Sequence, residues 1–226
     1  MRILVLICCA VFSFPAQTQT AVSFPADDGA VIFADLYGKS DKAVLLVHGG
    51  QFNKESWAPQ AKHFVAAGYE ALAIDLRGYG KSHGPGDSDP MDAPLHLDVL
   101  AAVRYLRSHG AKSVSVVGGS MGGSAAGDAC ILSKPGEIDR VVMLGAAPNL
   151  AADKLKCPVL YIVARDDANA DGPRLPGIRK QFERSPEPKR LIVLEGSAHA
   201  QFLFQTNQAD RVMKAILGFL AEPRPK

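Results

Sequence analysis

Val114-Ser-Val-Val-Gly-Gly-Ser-Met-Gly-Gly123 is the stretch from which the rest of the chain can be read. A β-branched apolar run (Val114, Val116, Val117) stops abruptly at a serine set among glycines, and small residues suited to a helix follow from Ser124 to Ala129. Strand, sharp turn and helix within so few residues place Gly118-Gly-Ser-Met-Gly122 in the context of a G-x-S-x-G nucleophile elbow. The logic is steric. A serine on such a turn sits in a strained backbone conformation with its hydroxyl exposed, and Gly118 and Gly122 omit the Cβ atoms that would collide where strand and helix close together. The helix that follows turns its amino end, with partial positive charge, toward the same spot. A flexible glycine loop is the competing reading, and the valine run before the glycines favours the turn.

Outward from this turn, strands and helices alternate. Ala21–Phe24 and Val31–Tyr37 read as a hairpin around Asp27-Asp-Gly29. Lys42–Val47, Tyr69–Leu76, Arg140–Gly145, Pro158–Ala164 and Lys189–Leu194 read as further strands, several continuously apolar and so buried on both faces. Helices are expected from Ser56 to Ala67 with Ser56 as cap, from about Pro94 to His109, and from about Thr206 to Leu220. The pattern predicts an α/β class: a mostly parallel central sheet with helices on both faces. In such sheets function gathers at the carboxyl ends of the strands. His48, Arg77, Ser120, Asp166, Asp167 and His199 all fall there.

A serine hydroxyl needs a base to take its proton. Of the six histidines only His199 follows Ser120, as the chain order Ser, acid, His of a sheet enzyme with an elbow requires. His63, His96 and His109 read as helix-surface residues, His83 as a loop residue, and His48 as a brace for its own loop. A carboxylate must hold the second imidazole nitrogen. Asp166 and Asp167 both stand just after the Pro158–Ala164 strand, and only one of two neighbours can face His199. An oxyanion needs two backbone donors. Met121, directly after the serine, is one, and the other belongs to the His48-Gly-Gly-Gln51 loop, with Gly50 first and Gln51 as alternative.

The 226 residues are 47% hydrophobic and 21% charged, the composition of a globular chain with one substantial core. A net charge of +2 without a basic cluster gives no sign of a nucleic-acid partner. The histidines and cysteines lack metal-ligand spacing, and the glycines lack G-x-G-x-x-G, so neither a metal nor another cofactor is expected. Met1-Arg2, the apolar Ile3–Phe14 and the polar Pro15–Thr20 have the layout of a signal peptide over residues 1–20, cleaved between Ala16 and Ala21, ahead of one domain over 21–226. The expectation is a secreted or periplasmic protein with no stable membrane partner. An uncleaved N-terminal anchor is the alternative. Cleavage would leave two cysteines, Cys130 and Cys157, read as unpaired, half-buried thiols.

Together, His48-Gly-Gly50, Asp75-Leu-Arg-Gly-Tyr-Gly-Lys-Ser82, the Gly118–Gly122 motif, the Asp166-Asp167 turn and Gly196-Ser-Ala-His199 resemble the α/β-hydrolase superfamily. The resemblance covers nearly everything after residue 21. It implies a serine hydrolase acting on small ester, thioester or lactone substrates, with Ser120, His199 and an acid. The family's spacing favours Asp167 over Asp166. It also implies that acyl transfer or perhydrolysis is open to the same machinery, and that a non-catalytic binding module is the reading of a different class. Only Ala146–Cys157 separates two strands between which many relatives insert a helical cap, so this member is expected to be capless. Its shallow pocket would be roofed by the loops Gln51–Glu55, His83–Pro90 and Asp167–Pro176.

Overall fold

The structure, a computed structural model, describes residues 19–223. The expected signal peptide therefore lies outside the described residues, save for Gln19 and Thr20, which open the first strand. The strands are β1 (Gln19–Pro25), β2 (Val31–Tyr37), β3 (Lys42–Val47), β4 (Glu70–Ile74), β5 (Ser113–Gly119), β6 (Arg140–Leu144), β7 (Val159–Ala164), the two-residue pair β8 (Ala168–Asn169) and β9 (Gly172–Pro173), and β10 (Lys189–Leu194). Eight of them form one sheet in the order β1-β2-β4-β3-β5-β6-β7-β10. β2 pairs antiparallel with β1 and β4, and every pairing from β4 to β10 is parallel.

Alternation along the central strands feeds two cores. Ala43, Leu45 and Val47 of β3, with Val114 and Val116 of β5, pack beneath α2 (Leu95–Ser108), α3 (Met121–Leu132) and α4 (Leu175–Arg184). Val44, Leu46 and Val117 point the other way, to α1 (Ala58–Ala66) and α5 (Ala209–Leu220). A continuous apolar run is therefore what a strand needs when helices cover both its faces. β6 and β7 are joined by Gly145–Pro158, which carries only a short 3-10 turn at Ala152–Lys154, so there is no cap between them.

Several boundaries differ from expectation for local reasons. Asn53, not Ser56, caps the segment after β3, its side chain accepting from the Ser56 amide; a 3-10 turn over Lys54–Trp57 follows, and α1 starts only at Ala58, with Pro59 in its first turn. The closing helix likewise starts at Ala209, after a 3-10 segment at Ala200–Gln205. The sequence gives no helix signal for α4, because Pro176 and Gly177 near its start look like a loop. Cys130 and Cys157 are unpaired, and both are buried rather than half-buried.

The turn after β4 is held by charge. Arg77 is fully buried and bonds Asp98 of α2 through Nε at 2.9 Å and Nη2 at 2.6 Å, while its amide donates to the other Asp98 oxygen at 2.9 Å. Asp28 and the Pro85 carbonyl take its remaining N–H groups. The guanidinium is thus satisfied on every side, as a buried charge must be.

Candidate active site

Ser120 stands at the carboxyl end of β5 with φ 50°, ψ −119°, a conformation costly for any residue with a Cβ. The cost is borne because the surroundings leave no alternative. The Ser120 amide donates to the Leu144 carbonyl of β6 at 2.9 Å. A Cβ at Gly118 would come within 2.3 Å of the Gly122 carbonyl oxygen, and one at Gly122 within 2.4 Å of the His48 carbonyl oxygen. Strand and helix therefore approach as closely as two glycines permit.

His199 follows β10 and reaches back over Ser120. Its Nε2 lies 2.7 Å from Ser120 Oγ, and its Nδ1 lies 2.8 Å from Asp167 Oδ2. A carboxylate can only accept, so Nδ1 carries the proton and Nε2 is free to accept from the serine. Asp167 is fully buried, whereas Asp166 and Arg165 face solvent. Arg165 pairs with Glu195. The second Asp167 oxygen, Oδ1, makes no hydrogen bond, and the Arg174 Nε lies 3.4 Å from it. Gly145 supports this line from behind. It has φ 59°, and a Cβ there would approach His199 Nδ1 to 2.9 Å and Asp167 Oδ2 to 3.0 Å.

The loop after β3 is organised by His48, which is fully buried. Its Nε2 accepts from the Leu76 amide at 3.1 Å, so the proton sits on Nδ1, which donates to the Gly49 carbonyl at 2.9 Å. Burial pushes His48 down to about 4, so the ring stays neutral around pH 7 and this tautomer is kept. Phe52 N–H also donates to the Gly49 carbonyl, at 2.9 Å. In a trans peptide the carbonyl and the next N–H point in opposite directions. Holding the Gly49 oxygen therefore aims the Gly50 N–H away from His48, and Tyr79 Oη fixes the far side of Gly50 by donating to its carbonyl at 3.1 Å. Gly49 itself is not a free donor, since its N–H is bonded to Gln201. Met121 opens α3, where the first amides have no partner within the helix. Gly50, Gln51 and Met121 all line the same cleft as Ser120 and His199.

That cleft measures about 590 Å³ and opens to solvent. Of the three expected roof loops, Gln51-Phe52 and Asn169–Arg174 border it, while His83–Pro90 contributes nothing and Met91 just beyond it does. The amino end of α4 completes the wall with Gly177 and Ile178. Phe52 and Phe202 pack together at the rim, 4.9 Å between ring centres. The sequence carries no local pattern for the roles of Gly145 and the aromatic pair. Among the described residues no group of three or more His, Cys, Asp or Glu side chains gathers in a way that would hold a metal ion, and no helix is long and apolar enough to cross a membrane.

Residues 42–208 match the family described as alpha/beta hydrolase fold. A non-heme haloperoxidase of Rhodococcus erythropolis is 32% identical over 125 residues, 55% of this chain and 44% of that protein. A bifunctional esterase/perhydrolase of Acinetobacter calcoaceticus is 32% identical over 124 residues, 54% of this chain and 44% of its own length. The chain thus spans less than half the length of these relatives. The solved structure of the Pyrococcus furiosus esterase Pf2001 has the same fold, with a TM-score of 0.72 at 20% identity over 90% of each chain.

Proposed function

Because this chain belongs to the alpha/beta hydrolase family, we propose that it is a serine hydrolase that cleaves small esters through an acyl-enzyme on Ser120. The observation that carries this reading is the continuous line from Ser120 Oγ to His199 Nε2 and from His199 Nδ1 to buried Asp167, at 2.7 and 2.8 Å. Ser120 attacks the ester carbonyl as His199 takes its proton, and Asp167 stabilises the imidazolium that forms. The Gly50 amide, from the loop after β3, and the Met121 amide, from the first turn of α3, receive the oxyanion. His199 returns its proton to the departing alcohol. It then draws one from water as the water attacks the acyl carbon, and passes it to Ser120 Oγ as the acyl bond breaks and the acid leaves.

A second reading is supported by the name of the Acinetobacter relative, which pairs esterase with perhydrolase. Hydrogen peroxide in place of water would release a peracid from the same acyl-enzyme, with the same proton transfers.

Labelling with a fluorophosphonate probe tests the first reading. The native protein should be labelled at Ser120, and Ser120→Ala should lose both labelling and several orders of magnitude in turnover of 4-nitrophenyl acetate, with the fold intact. Turnover by Ser120→Ala near the native rate would overturn the assignment.

A further inference from the structure

Gln201 sits two residues after His199 and is nearly fully buried, yet its side chain points at neither Ser120 nor Asp167. Its Oε1 accepts from the Gly49 N–H at 2.7 Å, and its Nε2 donates to Ser56 Oγ at 2.7 Å. Ser56 Oγ in turn donates to the Asn53 carbonyl. One amide thus ties down both ends of the segment from Gly49 to Ser56, which contains the Gly50 amide. The orientation of the amide is fixed, because a backbone N–H can only donate.

A second observation concerns Gly119. The elbow explains the glycines at 118 and 122, but 119 is the variable position of the motif. A Cβ at Gly119 would meet Gln201 Oε1 at 3.2 Å, Gln201 Cγ at 3.3 Å and Ala200 Cβ at 3.4 Å. The space beside the nucleophile is left open for the Gln201 side chain. Gly49 in turn is pressed against Ser120, since a Cβ there would lie 3.2 Å from Ser120 Cβ. Ala200, between His199 and Gln201, is the only non-glycine besides Ser120 with positive φ among the described residues, at 50°. On either side of that strained residue, His199 reaches Ser120 Oγ and Gln201 reaches Gly49.

We propose that Gln201 is a positioning residue for the oxyanion: it seats Gly49 against Ser120, so that the Gly50 N–H meets the reacting carbonyl oxygen in the transition state. This rests on the acyl-enzyme reading above. The segment that carries the base also sets the donor loop, and the two halves of the machinery move as one. The bonds of Gln201 do not reach the substrate, so their loss acts on the transition state and leaves ground-state binding alone.

The test is Gln201→Met, which keeps length and apolar volume and removes both hydrogen bonds. With 4-nitrophenyl acetate, kcat should fall about 10- to 100-fold while KM stays within about twofold, the range set by donor loss and by modest misplacement. The decisive readout is a trifluoromethyl ketone, whose adduct on Ser120 places an oxyanion in the same site. Its inhibition constant should rise in parallel with the fall in kcat/KM across Gln201→Met, Ser56→Ala and Gly119→Ala. Gly119→Ala should cost little more once Gln201→Met is present, because the two act through one contact. Native kcat and an unchanged inhibition constant in Gln201→Met would overturn the inference. Should Gln201→Met fail to fold, Ser56→Ala and Gly119→Ala decide in the same way. Failure of the serine-hydrolase reading looks different: the native protein would then go unlabelled by the fluorophosphonate.

Discussion

Asp167 and Asp166 are neighbours in sequence and opposites in environment. One is fully buried on the His199 Nδ1, and the other is exposed. Asp167→Asn should cut turnover by about four orders of magnitude, since an amide nitrogen would turn the imidazole to the wrong tautomer. Asp166→Asn should cost less than about tenfold. Side-by-side kinetics of the two variants check this, and a dead Asp166→Asn would move the acid by one residue. His48 carries the pH prediction. It falls from the ordinary 6.5 to about 4 because burial disfavours its charge. Between those values the unfolded chain binds a proton that the folded chain refuses, so stability declines as pH drops through that window. The contribution, up to about 3 kcal/mol, is fully present above pH 6.5 and gone below the folded value. NMR titration should show a His48 midpoint near 4 with the proton on Nδ1. A midpoint near 6.5 would show that the ring is not sealed from water.

At the scale of elements, the turn from β5 into α3 tolerates no added atom. Gly118→Ala places a methyl group against the backbone of Gly122, which has no flexible end to give way, and should destabilise the fold by at least ~2–3 kcal/mol. Gly218→Ala on the exposed side of α5 meets nothing within 4 Å and should stabilise by about 0.5–1 kcal/mol. Denaturant midpoints for the pair measure both, and equal shifts would show that the crowding at the elbow is not what demands glycine there. The elbow was legible because its requirement is local: strand, glycine, serine, glycine and helix all lie within ten residues. α4 was not legible, since its first turn holds Pro176 and Gly177 and its buried residues, Leu175 and Ile178, are few.

For the molecule as a whole, the short connection between β6 and β7 leaves the cleft without a helical cover. Beside it lies a side pocket of about 110 Å³, which shares Met91, Met121, Ser124 and Asn149 with the cleft. Long acyl chains would have to lie over the open rim at Phe52 and Phe202, where water still reaches much of their surface and little of the usual gain per methylene is realised. Short-chain esters are therefore the expected substrates. A series of 4-nitrophenyl esters from acetate to laurate checks this, with kcat/KM expected to be highest at two to four carbons. A steady rise toward long chains would contradict the open cleft.

The sequence by itself determined what depends on neighbours in the chain. Unbroken apolar runs in β3 and β7 required helices on both faces, and the glycine pattern around Ser120 required the elbow. Chain order left His199 alone as a candidate base. Tertiary structure decided what depends on groups far apart in the chain. Whether Asp166 or Asp167 meets His199 follows from where the turn after β7 lies against the turn after β10, although the family's spacing had already leaned to Asp167. The bond from Gln201 to Gly49 spans 152 positions, and Gly145 matters only because His199 and Asp167 happen to close above it. No local pattern encodes such meetings. They arise when the parallel strands take their register and bring loops from separate parts of the chain to one edge of the sheet.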